Sequence, residues 1–233
     1  MPNHIQNRLR LEGAKEQISE VFDFLRSEKL EDGVHAPMDF NKITPMPEEL
    51  NVTAGSPQDC IAWMLFGVKD RNSSAEIFVE QTRRNLRKAE PDRLRTYVED
   101  AIKYRDNYKN YGYCTWYEWA IANWGTKWNA YGQPDKRNDE TAIWFETAWS
   151  NVEQLIQRAS RRFPAVTFYY TYADEDTGSN TGDLVIVGGK TVQENRPVNG
   201  SQAAYELAFE MRPDQAENYQ LVGDSYEYVE EED

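Results

Sequence analysis

Two strand–helix segments, one near each end of the chain, and short connections between the last strands predict the fold class. Each segment passes from a strand pattern into an amphipathic helix, at residues 5–29 and 142–162. Short connections over residues 142–193 favour antiparallel neighbours. The sequence therefore predicts an α+β fold, a ferredoxin-like split βαβ antiparallel sheet with a large, mostly helical insertion.

The first half of the chain supplies one strand, one helix and the insertion. Residues 5–11 (IQNRLRL) alternate apolar and polar side chains, which is typical of a half-buried strand. Apolar residues then recur at helical spacing over residues 15–29. The predicted insertion covers residues 30–119, with a long helical stretch at 74–107. Residues 120–129 are expected to form the second strand of the sheet.

The C-terminal elements are closely spaced along the chain. Residues 142–148 (AIWFETA) predict a strand, and Ser150 with Glu153 forms a capping-box pattern that opens a helix ending near residue 162. The remaining predicted elements are a strand at 166–172, a hairpin of 184–187 and 190–193 around a Gly-Gly pair, and a helix at 203–211. We expect residues 1–211 to form one domain and residues 212–233 an acidic C-terminal segment.

Composition and charge exclude several classes of function. The chain has 233 residues and a net charge of −14, which argues against binding to duplex nucleic acid or an anionic membrane. No segment resembles a signal peptide or a membrane span, which predicts a cytoplasmic location. Cys60 and Cys114 stand beside tryptophans in apolar surroundings, and we expect both as buried thiols, although a disulfide is the alternative.

Aromatic residues are concentrated in one part of the chain. Six of the seven tryptophans lie between residues 111 and 149. Large aromatic side chains dominate the energetics of cores and interfaces, so this segment is a packing centre, a recognition surface, or both. We expect Trp124, Trp128, Trp144 and Trp149 to be largely buried and in mutual contact.

Several phrases of the sequence resemble a known family. They are PNHIxNRL at residues 2–9, FNKIxPMPEEL at 40–50, NWGTKWN at 123–129, FxTAWS at 145–150 and YADE at 172–175. Together they resemble the YubB ferredoxin-like family of phage and plasmid proteins, a family without an assigned biochemical activity. The resemblance implies a mobile-element origin and a split βαβ core, and it implies no reaction.

Some side chains in these phrases suggest a ligand pocket. A histidine is a common general base or metal ligand, and a lysine beside a glycine can bind an anion. The candidate pocket residues are His4, Lys42, Asn123, Trp124, Lys127 and Trp128. The alternative is structural: His4 begins a strand, and Asn123 and Asn129 cap a turn made possible by Gly125.

The stretch at residues 83–109 is basic and carries tyrosines. This pattern fits a groove for single-stranded nucleic acid, but its many acids at helical spacings favour a salt-bridged exposed helix. The nucleophile–base and metal-ligand spacings typical of enzymes are missing, which makes an enzyme the less favoured class, and we predict no cofactor and no metal.

The C-terminal segment is the favoured binding surface. Eight of its residues are acidic and only Arg212 is basic, so half of the net charge lies there. Carboxylates steer association with a basic partner, and tyrosines add contact area. We therefore predict a phage- or plasmid-type accessory protein that binds a host or phage protein with a basic, nucleic-acid-binding surface and inhibits a host defence system. A small-ligand-binding protein or enzyme built on the candidate pocket is the alternative. The predicted partner-binding residues are Asp214, Glu217, Tyr219, Asp224, Tyr226, Glu227, Tyr228, Glu230 and Glu231.

Overall fold

A computed structural model of the protein describes residues 3–28, 33–71 and 73–229. Its helices are α1 (Lys15–Leu25), α2 (Phe40–Ile43), α3 (Ser56–Phe66), α4 (Val79–Leu86), α5 (Pro91–Tyr111), α6 (Trp116–Trp124), α7 (Glu153–Arg162) and α8 (Gln202–Met211). Its strands are β1 (His4–Glu12), β2 (Ala142–Ala148), β3 (Thr167–Asp174), β4 (Gly182–Val187), β5 (Lys190–Asn195), β6 (Tyr219–Val222) and β7 (Ser225–Tyr228). The chain divides into two compact units. The first unit consists of Met1–Pro45 and Trp124–Asp233, and the second unit is Met46–Asn123.

The first unit is built on a five-stranded antiparallel sheet. The strand order is β2-β1-β3-β4-β5. Strand β1 separates β2 from β3 and runs antiparallel to both, so α7 connects two parallel strands across it. This β2-α7-β3 unit is a split βαβ. The predicted α+β antiparallel fold is confirmed.

One face of the sheet packs against α7. Leu155 and Ile156 of α7 and Leu9 of β1 are fully buried, as the alternating strand and the amphipathic helix require. Asn7, also buried, accepts a hydrogen bond from the Tyr170 hydroxyl at 2.6 Å and donates to Thr147 Oγ1 at 3.0 Å. The buried amide is therefore fully engaged and fixes the register of three neighbouring strands.

The opposite face of the sheet packs against α8. Trp144 of β2 and Ala173 of β3 form a buried cluster with Ala208 and Met211 of α8. Alternate residues of a strand point to opposite faces, so Phe145 lies on the α7 side while Trp144 lies on the α8 side. The sheet therefore has a helix on each face.

The second unit, Met46–Asn123, is helical and has its own core. Ile61, Ala62, Ala101, Tyr104 and Cys114 form its buried centre. The Asn107 amide donates hydrogen bonds to the carbonyl oxygens of Glu49 and Cys114, which ties the loops to α5. Cys60 and Cys114 are free, buried thiols, as predicted. The unit overlaps the insertion predicted at residues 30–119.

Three predictions about elements are wrong. The strand expected at 120–129 is absent from this fully described segment, which forms the end of α6 and a loop; the apolar residues there follow the helical pattern of α6. The long helical stretch is broken before Pro91, because proline disfavours the helical conformation in the preceding residue. The capping box is replaced by Asn151, whose side-chain oxygen accepts from the Glu153 backbone N–H at 3.2 Å.

The prediction that the four tryptophans form one cluster is also wrong, although Trp124 and Trp144 are buried as predicted. Trp124 packs against Phe40, which contacts Phe145 on the α7 side, whereas Trp144 lies on the α8 side of the sheet. The sheet itself separates these two rings. Trp149 is 41% exposed and adopts a left-handed backbone conformation (φ 69°). The tryptophans are therefore neighbours in sequence but lie in different parts of the structure.

Candidate functional site

The residues beyond β5 build a C-terminal module on the sheet. Ser201 begins α8, and its hydroxyl accepts a hydrogen bond from the Ala204 N–H at 3.3 Å. Ala204, Ala208 and Met211 are the buried side of the helix. The two alanines let α8 lie close to the sheet, and its aromatic residues point away from the sheet.

The other side of α8 carries an aromatic platform. Tyr205 and Phe209, one helical turn apart, have ring centroids 6.0 Å apart. Tyr219 lies 5.4 Å from Tyr205 and 5.6 Å from Phe209. Tyr226 lies 5.5 Å from Tyr205 and 5.0 Å from Phe209. Aromatic pairs at these distances stabilise beyond their buried area, so the platform anchors the chain beyond α8.

The anchored segment is the β6–β7 hairpin. Gly223, with a positive φ of 63°, and Asp224 form its two-residue turn. The paired residues Tyr219 and Tyr228 share the face that looks toward α8. Two of the three predicted partner-binding tyrosines, Tyr219 and Tyr226, therefore serve as anchors. Tyr228 is 62% exposed.

A glycine makes the close packing of Tyr205 possible. Gly178 has a positive φ of 82°, and a Cβ built there would stand 2.8 Å from the Tyr205 ring. Its backbone oxygen accepts a hydrogen bond from the N–H of Gly200 at 2.9 Å, just before α8. The loop before β4 and the start of α8 are thereby fitted around the platform.

We define the acidic hairpin surface by eight exposed residues of the module. It contains Asp214, Glu217, Leu221, Val222, Asp224, Glu227, Tyr228 and Val229. Among the residues that the structure describes, none forms an ion pair with its four carboxylates. Glu230 and Glu231, also predicted to bind a partner, lie outside the described residues. The surface thus combines unneutralised negative charge with exposed apolar side chains.

Sequence reasoning missed Tyr205 and Phe209. Their spacing of four residues in AAYELAFEM was a usable signal, because it places both rings on one side of a helix whose other side is small and apolar. The tyrosines of the acidic segment were then the natural partners for these rings.

A second cluster surrounds His4 at the start of β1. Its Nδ1 is 2.7 Å from the Tyr131 hydroxyl and 3.7 Å from the Glu146 carboxylate. Burial raises the pKa of Tyr131 to about 12. Tyr131 also exchanges backbone hydrogen bonds with Glu146, and Gly132 gives the Glu146 side chain room to pack. These contacts fix the loop before β2 to the sheet and bring an imidazole, a phenol and a carboxylate together.

The six candidate pocket residues are only partly brought together. Trp128 contacts Tyr131, the partner of His4, and the Lys127 ammonium lies 4.5 Å from the Trp128 ring centroid. His4, Lys127 and Trp128 therefore belong to one region.

The other three candidate residues are engaged elsewhere. Lys42 forms an ion pair with Glu28. The Trp124 indole N–H donates to the Thr44 carbonyl oxygen at 2.9 Å. Asn123 belongs to the second unit, where its amide donates to the Trp119 carbonyl oxygen.

The NWGTKWN motif has a clear structural role. Gly125 has a positive φ of 82°, which favours glycine. The Thr126 hydroxyl donates to the Ala148 carbonyl oxygen at 2.7 Å and accepts from the Ala148 N–H at 3.1 Å. The Asn129 side chain accepts from the Phe40 N–H and donates to the Asp39 carboxylate. These bonds join the loop after α6 to β2 and to the start of α2.

Three further features concern metal-ligand groups, membrane-spanning helices and the basic stretch at residues 83–109. No group of three or more His, Cys, Asp or Glu side chains within residues 3–28, 33–71 and 73–229 is placed to hold a metal ion. In the same ranges no helix has the length and apolar character needed to span a membrane. The predicted salt-bridged character of the basic stretch is seen in the pairs Arg83–Glu80 and Lys103–Asp100.

Comparisons with known proteins give a family model and a solved structure. Residues 127–214 match a family model described as the ferredoxin-like domain in Api92-like protein. Among solved structures, the chain is similar to protein Api92 from Yersinia pseudotuberculosis, with 10% identity over 86% of this chain and 99% of that chain and a TM-score of 0.39. No curated protein matches.

The matched segment contains β2 through α8, which is the split βαβ core and the helix of the aromatic platform. The fold class is therefore a ferredoxin-like domain within an α+β chain. The resemblance to the YubB family stays a prediction, because the matching model is described by its likeness to Api92.

Proposed function

We propose that this protein acts by binding another protein through the acidic hairpin surface. The observation that carries the proposal is the anchoring of the hairpin by the platform of Tyr205, Phe209, Tyr219 and Tyr226. A solubilising tail needs no such anchor. A rigid support presents carboxylates and apolar side chains in fixed positions and lowers the entropy lost on binding.

The chemistry of the surface defines the partner class. Four carboxylates without ion-pair partners among the described residues fit a basic surface, and Leu221, Val222 and Tyr228 supply apolar contact area. Basic surfaces are typical of proteins that bind nucleic acid. We therefore propose a nucleic-acid-binding protein as the partner. Inhibition of a host defence component is the biological role that the YubB resemblance suggests.

The experiment compares the full chain with two matched triple variants. The site variant carries Glu217→Gln, Asp224→Asn and Glu227→Gln. The control variant carries Glu16→Gln, Glu20→Gln and Glu99→Gln, which are exposed glutamates elsewhere and give the same change in net charge. Proteins cross-linked to each chain in host lysate are identified and quantified by mass spectrometry.

The proposal requires a basic protein that the full chain and the control variant capture equally and the site variant captures at least about tenfold less. Nucleic acid added to the lysate should compete for that protein. Equal capture by both variants would refute the proposal, because net charge alone would then account for the binding.

A second candidate function, small-ligand binding, is favoured by the cluster of His4, Tyr131 and Glu146. These groups suit acid–base chemistry or hydrogen bonding to a polar ligand. A compound library screened by the histidine NMR signals should yield ligands that shift His4 and lose affinity in Tyr131→Phe. Compounds that bind the Tyr131→Phe variant equally well would exclude this site.

A further inference from the structure

The second unit contains a pocket at the corner between α4 and α5. Its volume is about 300 Å³, at the lower end of the range for small-molecule sites. Its lining residues are Pro57, Thr82, Asn85, Leu86, Lys88, Ala89, Arg93 and Tyr97. All of them belong to the second unit, so the pocket is formed by one compact body.

Thr82 is a polar residue of the pocket wall. It is only 5% exposed, and its side chain carries a hydroxyl that can donate or accept a hydrogen bond. A hydroxyl in the wall can bond a ligand that enters the pocket.

The pocket is positively charged in a protein of net charge −14. Lys88 and Arg93 both line it, and neither forms an ion pair with any carboxylate among residues 3–28, 33–71 and 73–229. The Arg93 Nε donates to the Tyr97 hydroxyl at 2.8 Å, and its guanidinium lies 5.5 Å from the Tyr97 ring centroid. The guanidinium is thereby oriented while its terminal nitrogens stay available to an anion.

The start of α5 adjoins the pocket and carries two acidic residues, Glu90 and Asp92. The helix begins at Pro91, and its N-cap residue Glu90 makes no side-chain capping bond. The backbone N–H groups of the first turn carry partial positive charge, and Arg93 of that turn lines the pocket.

The remaining wall is apolar and rigid. Leu86 and Tyr97 line the pocket and also pack against the core of the second unit. Pro57 and Ala89 complete the apolar part. A flat or aliphatic group placed there would contact side chains already fixed by the core, so its binding costs little ordering.

We infer that this pocket binds an organic phosphate monoester of about nucleoside monophosphate size. Two cations match the dianionic phosphate better than a singly charged carboxylate. Lys88 and Arg93 contact the phosphate, the Thr82 hydroxyl contacts a phosphate or sugar oxygen, and the Tyr97 and Leu86 wall contacts the ring. This site lies apart from the acidic hairpin surface and does not depend on its function.

The test is a calorimetric and NMR titration of the full chain with adenosine monophosphate. Inorganic phosphate and adenosine, each lacking half of the ligand, are titrated separately. The variants are Lys88→Gln, Arg93→Gln and Thr82→Val, and the matched control is Arg95→Gln, an exposed arginine of α5 outside the pocket. Thermal melting of each variant checks that it is folded.

We expect adenosine monophosphate to bind at least about tenfold more tightly than inorganic phosphate or adenosine. Lys88→Gln and Arg93→Gln should each weaken binding about tenfold or more, as expected for losing one charge-assisted contact of about 1.4 kcal/mol, and Arg95→Gln should leave it unchanged. Undetectable binding, or equal losses in Arg93→Gln and Arg95→Gln, would overturn the inference. If Thr82→Val fails to fold, the exposed Lys88 and Arg93 positions still decide the outcome.

Discussion

Trp144 and Trp149 show how differently two tryptophans five residues apart are used. Trp144 is 8% exposed and is covered by Ala173, Ala208 and Met211. The Arg137 guanidinium stacks on its ring at 4.0 Å from the centroid and is held there by the Asp135 carboxylate. Trp149 is far more exposed and lies beside the Lys127 ammonium, 4.9 Å from its ring centroid.

We therefore expect Trp144→Ala to lower the free energy of unfolding by about 3–5 kcal/mol, the usual cost of removing a large buried aromatic side chain. Trp149→Ala should cost about 1 kcal/mol or less, because its ring is partly exposed already. Urea denaturation of the two variants measures both values. Similar losses for the two would contradict the packing described for α8.

The stability of the second unit depends on pH through Asp70. Burial raises the pKa of its carboxyl to about 6, although the Cys114 N–H donates to it at 2.7 Å. An unfolded aspartate titrates near pH 3.9, so between about pH 4 and 6 the folded protein binds more protons than the unfolded one. The contribution of Asp70 to the free energy of unfolding therefore falls as pH rises through this window and stays low above it.

Asp70→Asn should remove this dependence, because the amide oxygen still accepts the Cys114 N–H and carries no charge. Relative to the unmodified protein, the variant should be about 1–3 kcal/mol more stable at pH 7.5 and nearly equal at pH 4. Denaturation curves at both pH values test this. Parallel pH profiles for the two proteins would show that burial does not raise the pKa of the Asp70 carboxyl.

At the scale of elements, the β6–β7 hairpin owes its position to close packing on α8. An isolated two-stranded hairpin is marginal in water, so rings from α8 must supply its stability. Gly178 is central to this packing, since a Cβ there would stand 2.8 Å from the Tyr205 ring. Gly200 has a similar positive φ of 78° but open space around it.

Substitutions of Gly178 and Gly200 therefore test the contribution of the Tyr205 packing. Gly178→Ala should cost about 1 kcal/mol more than Gly200→Ala, because both must adopt a left-handed conformation but only the first also displaces Tyr205. Hydrogen exchange of residues 219–228 should be faster in Gly178→Ala alone. Equal exchange in the two variants would mean that Tyr205 does not hold the hairpin.

Much of the sheet could be predicted from the sequence because its strands and helices have clear periodicity. The strand at 142–148 and the helix ending at residue 162 were placed within a residue. The supposed strand at 120–129 failed because short apolar runs do not distinguish a strand from a buried helix. The hairpin was missed because its partner rings are on α8, and only the folded chain brings them together.

The candidate sites were harder to predict for the same reason. The acidic residues of the C-terminal segment were identified from composition, but their rigid support depends on contacts between α8 and the hairpin. Tyr131 and Glu146 were not recognised as neighbours of His4, because a loop and a strand far along the chain supply them. The spacing of residues within one segment of the sequence does not indicate contacts between distant segments.

At the scale of the whole molecule, charge is distributed unevenly. Half of the net charge of −14 lies beyond residue 211, whereas Lys88 and Arg93 give the pocket of the second unit a positive potential. The partners proposed for the two surfaces therefore carry opposite charge. The acidic hairpin surface binds a basic protein, and the pocket binds a small anion. Each surface is tested by variants that leave the other unchanged.

The most direct test of protein binding is the association rate constant of the captured partner, measured at about 50 and 300 mM salt. For the full chain and the Glu16/Glu20/Glu99 control, we expect association to slow at least about tenfold as salt rises, because exposed charges are screened beyond about 8–10 Å. The Glu217/Asp224/Glu227 variant should associate slowly at both salt concentrations. An association rate that is independent of both salt and these three carboxylates would contradict binding through the acidic hairpin surface.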